Sequence, residues 1–138
     1  MCGIAGIIYR DGDHPVGADM TRMLQSMKHR GPDSTGYALF GPASEAYLMR
    51  VMLANGSSNG DVEATERLER NRREVEHRLQ VLGVRVLNID DSVPHAVNIT
   101  FDYDGDLEAL AHRLEGIRGV EVLSIGHSLE IVKDLGDA

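Results

Sequence analysis

From residue 61 onward, the spacing of apolar residues switches repeatedly between the period of a helix and the period of a strand. Residues 61–82 and 106–116 carry apolar side chains on one helical face, which predicts two amphipathic helices, the first of them capped by Asp61. Shorter apolar stretches bounded by turn residues predict strands at residues 84–89, 96–103, 120–125 and 129–132. With a further strand at residues 47–53, this order predicts a ferredoxin-like βαββαβ plait.

The helix predicted over residues 61–82 carries four Glu–Arg pairs on the face opposite its apolar residues. These pairs are Glu63 with Arg67, Glu66 with Arg70, Glu69 with Arg73, and Glu74 with Arg78. Each pair at this spacing stabilises a helix by only about 0.2–0.5 kcal/mol. A charge run of this kind is typical of a helix face exposed to solvent. The second interpretation is that this face is a docking surface.

The stretch Asn55-Gly56-Ser57-Ser58-Asn59-Gly60 is rich in turn-forming and flexible residues. It interrupts the pattern of apolar residues, as a linker does. We therefore expect residues 1–45 to begin one domain and residues 46–138 to form the plait-like part, with residues 55–60 as a linker-like segment near their boundary.

The first part of the chain predicts two strands and one helix. Residues 3–9 alternate small and bulky apolar side chains, which predicts a buried strand, and residues 37–40 predict another. Between them, a helix at about residues 18–29 ends before Gly31-Pro32, because proline disfavours helical geometry at the residue before it. The apolar stripe of this helix predicts core packing, and its members are Met20, Met23, Leu24 and Met27.

Charge and cysteine content exclude several functions. The chain has 14 Lys and Arg against 22 Asp and Glu, a net charge of -8, which argues against a nucleic-acid partner. The single cysteine allows no internal disulfide and fits a reduced, cytoplasmic location. The apolar opening run is too short for a signal peptide or a membrane span. The six histidines lie far apart, at no ligand spacing with Cys2, which argues against a zinc site.

Cys2 becomes the chain terminus if Met1 is removed. One residue then carries a thiol, with an ordinary pKa of about 8.5, and an α-amine that titrates at about 7.7–8.0. The amine can accept the thiol proton and later return it to a leaving group, as in N-terminal nucleophiles. The competing interpretation of an isolated cysteine is a small buried side chain at the start of a strand.

Two motifs place Cys2 in a more specific context. Met1-Cys2-Gly3-Ile4-Ala5-Gly6-Ile7, followed by His29-Arg30-Gly31-Pro32-Asp33-Ser34-Thr35-Gly36, resembles the paired signature of class II glutamine amidotransferases. The plait-like second part resembles most the small amidotransferase subunits of glutamate-synthase-like systems such as N-methylglutamate synthase. The resemblance implies an α+β fold, the N-terminal portion of an Ntn-hydrolase αββα domain followed by the ferredoxin-like βαββαβ insertion.

The resemblance also implies site residues. Cys2 is the expected catalytic nucleophile, and the loop holding Arg30, Gly31, Asp33 and Gly36 is expected beside it. A cation at Arg30 would lower the pKa of the Cys2 thiol, and Asp33 could hold the arginine by a charge-assisted hydrogen bond. Alternatively, Arg30 and Asp33 only fix the loop as an ion pair.

The implied reaction is the glutaminase half of an amidotransferase. Cys2 would attack the side-chain amide of glutamine and form a γ-glutamyl thioester, releasing ammonia for a synthase partner subunit. No metal or organic cofactor is required, no membrane is involved, and a homo- or hetero-oligomer is compatible with the sequence. Two alternatives remain: a non-catalytic regulatory or partner-binding module with a vestigial signature, and an Ntn-type amidohydrolase acting on another amide.

Several elements of the implied active site cannot be assigned. The family holds glutamine with a later arginine-containing strand and an acidic residue, and forms its oxyanion hole with an Asn-Gly pair. Asn55-Gly56-Ser57 has suitable chemistry for an oxyanion hole but lies early in the chain and inside the linker-like stretch. The expectation from sequence is therefore a truncated or partial chain.

Overall fold

The structure, a computed structural model, describes residues 3–12, 14–30, 34–54 and 62–135. Its helices are α1 (Val16–Ser26), α2 (Val62–Val81) and α3 (Leu107–Glu115), with a 3-10 turn at Lys28–Arg30. Its strands are β1 (Ser34–Phe40), β2 (Tyr47–Met52), β3 (Arg85–Asp90), β4 (Ala96–Asp102), β5 (Glu121–Gly126) and β6 (Leu129–Leu135). The described chain is therefore mixed α/β, with three α-helices and an antiparallel sheet.

The chain divides into two units. One unit comprises Met1–Tyr37 and Lys133–Ala138, and the other comprises Ala38–Val132. The second unit contains the strands and helices from β2 to β5. No helix among the described residues is both long enough and apolar enough to cross a bilayer.

The second unit has the element order that the sequence predicted, β2-α2-β3-β4-α3-β5. Its strands form one antiparallel sheet in the order β3-β4-β2-β5. The unit's first strand, β2, therefore lies between β4 and β5. Neither helix joins neighbouring strands, because α2 connects β2 to β3 and α3 connects β4 to β5. The βαββαβ order of a ferredoxin-like plait is confirmed.

The core of this unit lies between the sheet and its two helices. Alternate residues of β4 are buried, and Val97, Ile99 and Phe101 all point to the same face because strand side chains alternate. Opposite residues of β2, together with Val75 and Leu79 of α2 and Leu110 and Leu114 of α3, complete the same cluster. Both helices thus cover one face of the sheet, as their apolar stripes predicted.

Helix α3 begins where the sequence predicted, because Asp106 caps it. The Asp106 carboxylate accepts hydrogen bonds from the backbone N–H groups of Glu108, at 2.8 Å, and Ala109, at 3.2 Å. These are two of the four N–H groups that the first turn of a helix leaves without a helical partner. The cap fixes the start of a helix whose Leu110 and Leu114 belong to the core.

The first unit corrects two predictions. Residues 3–9 form no strand, and Ile4 and Ile8 are 94% and 92% exposed. Helix α1 has no fully buried residue, so its methionine stripe is only half-buried and does not pack in a closed core. The apolar pattern is real, but apolar side chains are buried only where a second layer covers them, and the described residues provide no such layer here.

The end of α1 also differs from the prediction. The helix stops at Ser26, and the chain tightens into the 3-10 turn at Lys28–Arg30. Within this turn, the Arg30 N–H donates to the Met27 carbonyl at 2.8 Å. Hydrogen bonds between residues three apart, as in a 3-10 helix, are common at helix ends. Gly31-Pro32, which was predicted to end the helix, lies outside the described residues, as does the predicted cap Asp61.

Strands β1 and β6 pair with each other in a separate two-stranded sheet. Both are longer than the strands predicted at residues 37–40 and 129–132. Backbone hydrogen bonds from Gly41 to Ser128, 2.9 Å, and from Ser44 to His127, 2.7 Å, join the adjoining segments. The chain that follows β1 and the chain that precedes β6 therefore run side by side.

Removing the cap of α3 tests this account of the plait. We expect Asp106→Ala to lower the free energy of unfolding by about 1 kcal/mol, since the two capped N–H groups lose their partner. Urea denaturation followed by circular dichroism measures this change. Asp104→Ala is the matched control, an exposed aspartate two positions earlier that does not cap the helix. Equal destabilisation by both variants would contradict the assignment.

Candidate functional site

The first described residue of the chain packs against the end of α1. A Cβ atom on Gly3 would lie 3.4 Å from the Cβ of Arg30 and 3.5 Å from the Sδ of Met27. These are ordinary van der Waals distances, so a methyl group would fit at position 3. The N-terminal segment therefore passes beside the 3-10 turn at Gly3.

A second attachment holds the other end of this segment. The Tyr9 hydroxyl donates a hydrogen bond to the Asp19 carboxylate near the start of α1. Asp19 also accepts a hydrogen bond from Arg22, at 2.9 Å, and the Tyr9 ring stacks on His14 with centroids 4.0 Å apart. The hydrogen bond to Asp19, followed by desolvation, raises the pKa of Tyr9, while Arg22 lowers it.

Together the two attachments set the direction of the N-terminal segment. Tyr9 is hydrogen-bonded at the first turn of α1, and Gly3 lies beside Met27 and Arg30 just beyond its last turn. The segment therefore runs antiparallel to the helix, along its length. In this way the first motif of the paired signature is brought beside Arg30, the second residue of the other motif.

The turn beside Gly3 is basic. Its three residues are Lys28, His29 and Arg30, all exposed. The family resemblance pointed only to Arg30 in this turn, although Lys28 and His29 directly precede it in the sequence. A concentration of positive charge of this kind lowers the pKa of a nearby thiol, because it stabilises the thiolate.

The predicted site residues are only partly within the described chain. Arg30 ends the 3-10 turn, and Gly36 lies within β1. Cys2, Gly31 and Asp33 lie outside the described residues, so the nucleophile and the proposed Arg30–Asp33 pair stay predictions. The weak oxyanion-hole candidate Asn55-Gly56-Ser57 lies outside them too. Among the described residues, no group of three or more His, Cys, Asp or Glu side chains could hold a metal ion.

Two curated proteins are similar to this chain over 99% of its length. One is the "Putative glutamine amidotransferase" of Methanothermobacter thermautotrophicus, 34% identical over 142 residues. The other is the glutamine amidotransferase-like protein GlxB of Rhizobium meliloti, 30% identical over 139 residues. The chain spans only 44% and 42% of these relatives. Both relatives are named as glutamine amidotransferases or as proteins like them.

The other two comparisons found no relatives. No protein-family model matches the chain, and no solved structure matches it.

The attachment of Tyr9 can be tested by titration. Because a raised pKa keeps the phenol protonated to higher pH, we expect Tyr9 to ionise above the ordinary value of about 10. Asp19→Ala should bring the pKa of Tyr9 back towards that value, and Arg22→Ala should raise it further. The Tyr9 ring-carbon chemical shift, followed by NMR against pH, measures both effects. An unchanged titration in Asp19→Ala would show that the hydrogen bond does not form in solution.

Proposed function

We propose that this chain is the N-terminal part of a class II glutamine amidotransferase whose nucleophile is Cys2. The observation that carries the proposal is the closeness of Gly3 to Arg30, since a Cβ atom on Gly3 would lie 3.4 Å from the Cβ of Arg30. These residues belong to the two motifs of the paired signature, which are separated in sequence by the whole of α1. The similarity to two amidotransferase-named proteins along almost the whole chain supports the same function.

The proposed chemistry begins with removal of Met1. The free α-amine of Cys2 accepts the thiol proton, and the thiolate attacks the carbonyl carbon of the glutamine side-chain amide. The carbon–nitrogen bond breaks, and ammonia leaves with the proton that the amine returns. Water then cleaves the γ-glutamyl thioester, which releases glutamate and restores the thiol. The half-reaction needs no metal or organic cofactor.

The basic turn at Lys28–Arg30 has a defined part in this proposal. Cys2 directly precedes Gly3, and Gly3 lies beside the turn. Positive charge there would favour the thiolate over the thiol and so increase the fraction of reactive nucleophile at neutral pH. Arg30 is a positioning and electrostatic residue in this scheme, and the proton transfers belong to the Cys2 amine.

The wider assignment follows from the same resemblance. We propose an Ntn-hydrolase αββα domain that begins within residues 1–45, with the plait of residues 46–138 as an insertion. The ammonia would pass to a synthase partner subunit in the cytoplasm, in a system related to glutamate synthase or N-methylglutamate synthase. Residues that hold glutamine and its oxyanion would then be supplied from outside the described part of the chain.

Intact mass spectrometry tests the nucleophile. The purified chain should lack Met1 and should gain one adduct after incubation with 6-diazo-5-oxo-L-norleucine, a glutamine analogue whose diazoketone alkylates the nucleophile with loss of dinitrogen. Cys2→Ala should gain none. Retention of Met1 would remove the proposed base and refute the mechanism. Adduct formation by the Cys2→Ala variant would place the reactive group elsewhere.

The electrostatic role of the turn is tested by the pH dependence of thiol alkylation. Cys2 is the single cysteine, so iodoacetamide reports on it alone. We expect the wild-type thiol to have a pKa below about 8.5 and Arg30→Ala to raise it by about one unit, which lowers the alkylation rate at pH 7 about tenfold.

Arg10→Ala is the control, because it removes an exposed arginine elsewhere in the same unit. Its alkylation profile should match that of the wild type. If Arg30→Ala and Arg10→Ala give the same profile, the 3-10 turn has no specific effect on the nucleophile.

A further inference from the structure

A large groove lies within the second unit. It separates α2 from the turn that follows α3 and has a volume of about 830 Å³. This volume falls within the range of about 300–1,000 Å³ typical of small-molecule sites. Its floor includes two buried apolar residues, Ala54 and Ile117. Its charged lining consists of Arg67, Arg70, Arg78, Arg118, Glu63 and Glu74.

The charge of the groove is opposite to that of the chain as a whole. Four arginines line it against two glutamates, although the net charge of the chain is -8. Glu74 is paired with Arg78 at 2.9 Å. Within the part of the chain that the structure describes, neither Arg70 nor Arg118 forms an ion pair. The groove is thus a local site of uncompensated positive charge.

A buried amide side chain connects the two walls of the groove, which are α2 and the turn after α3. Asn71, which is only 5% exposed, donates from Nδ2 to the carbonyl of Leu53 at 2.6 Å and to that of Arg118 at 3.2 Å. Gly119 follows with a φ of +88°, a left-handed conformation that favours glycine. The backbone of Arg118 is therefore fixed against the residue that directly follows Arg70.

We propose that this groove binds a small organic dianion, with Arg70 and Arg118 on either side of the anionic group and the body of the ligand on the Ala54–Ile117 floor. Guanidinium groups present several donors in a plane, which suits the oxygen atoms of a phosphate monoester or of a carboxylate. The site lies wholly within the second unit and does not depend on the chemistry of Cys2.

Binding is tested by calorimetric and NMR titration of the full chain with phenyl phosphate and with succinate. The wild-type chain should bind at least one of these probes saturably, and added salt should weaken the binding. Arg70→Gln and Arg118→Gln should each raise the dissociation constant about tenfold or more. Both side chains are exposed, so the fold should be unaffected.

Arg73→Gln is the matched control, because Arg73 is an exposed arginine of α2 that does not line the groove. It should bind like the wild type. Tighter binding of phenyl phosphate than of succinate would identify the ligand class as a phosphate ester, and the reverse would identify a dicarboxylate. Absence of saturable binding of both probes would overturn the proposal, and so would an equal loss in Arg73→Gln, Arg70→Gln and Arg118→Gln.

Discussion

The antiparallel pairing of β2 with β4 is the interaction on which the plait depends. In its register, Met49 lies opposite Ile99 and Val51 opposite Val97, and all four side chains are buried under the helices. Because strand side chains alternate, a slip of one residue would turn this set away from the core. Because β2 also pairs with β5, it lies between β4 and β5 in the sheet. Helices α2 and α3 cover the face that carries the buried side chains. The groove between α2 and the turn after α3 follows from that packing.

The N-terminal segment is held by few contacts, each of them specific. Gly3 and Tyr9 attach its two ends to α1 and the turn beyond it, whereas Ile4 and Ile8 between them are almost fully exposed. The nucleophile that we propose at Cys2 would need an accessible terminus, and the two attachments hold the described part of the segment without burying Ile4 and Ile8. The basic turn adds the charge that a thiolate would require.

Several arginines of α2 belong to a charged helix face and also line the groove. The sequence favoured a solvated helix face, and the Glu74–Arg78 pair fits that interpretation. The structure, however, brings Arg118 from a distant turn to the same groove as Arg70. The docking-surface interpretation of the helix face stays a prediction, but the groove includes a residue that the helical pattern does not contain. The buried Asn71 makes this possible, since it ties the turn to the helix.

The sequence by itself determined the helices and strands of the plait and their order, because hydrophobic period is a local property that each segment carries alone. It also identified the paired motif around Cys2 and Arg30. It was wrong about residues 3–9 and the methionine stripe of α1, since periodicity shows which face is apolar but not whether another layer covers it. Only the tertiary structure decided that Gly3 lies beside Arg30 and that Arg70 shares a groove with Arg118. Such contacts join residues far apart in the chain, and they arise from packing and register, which no local pattern encodes.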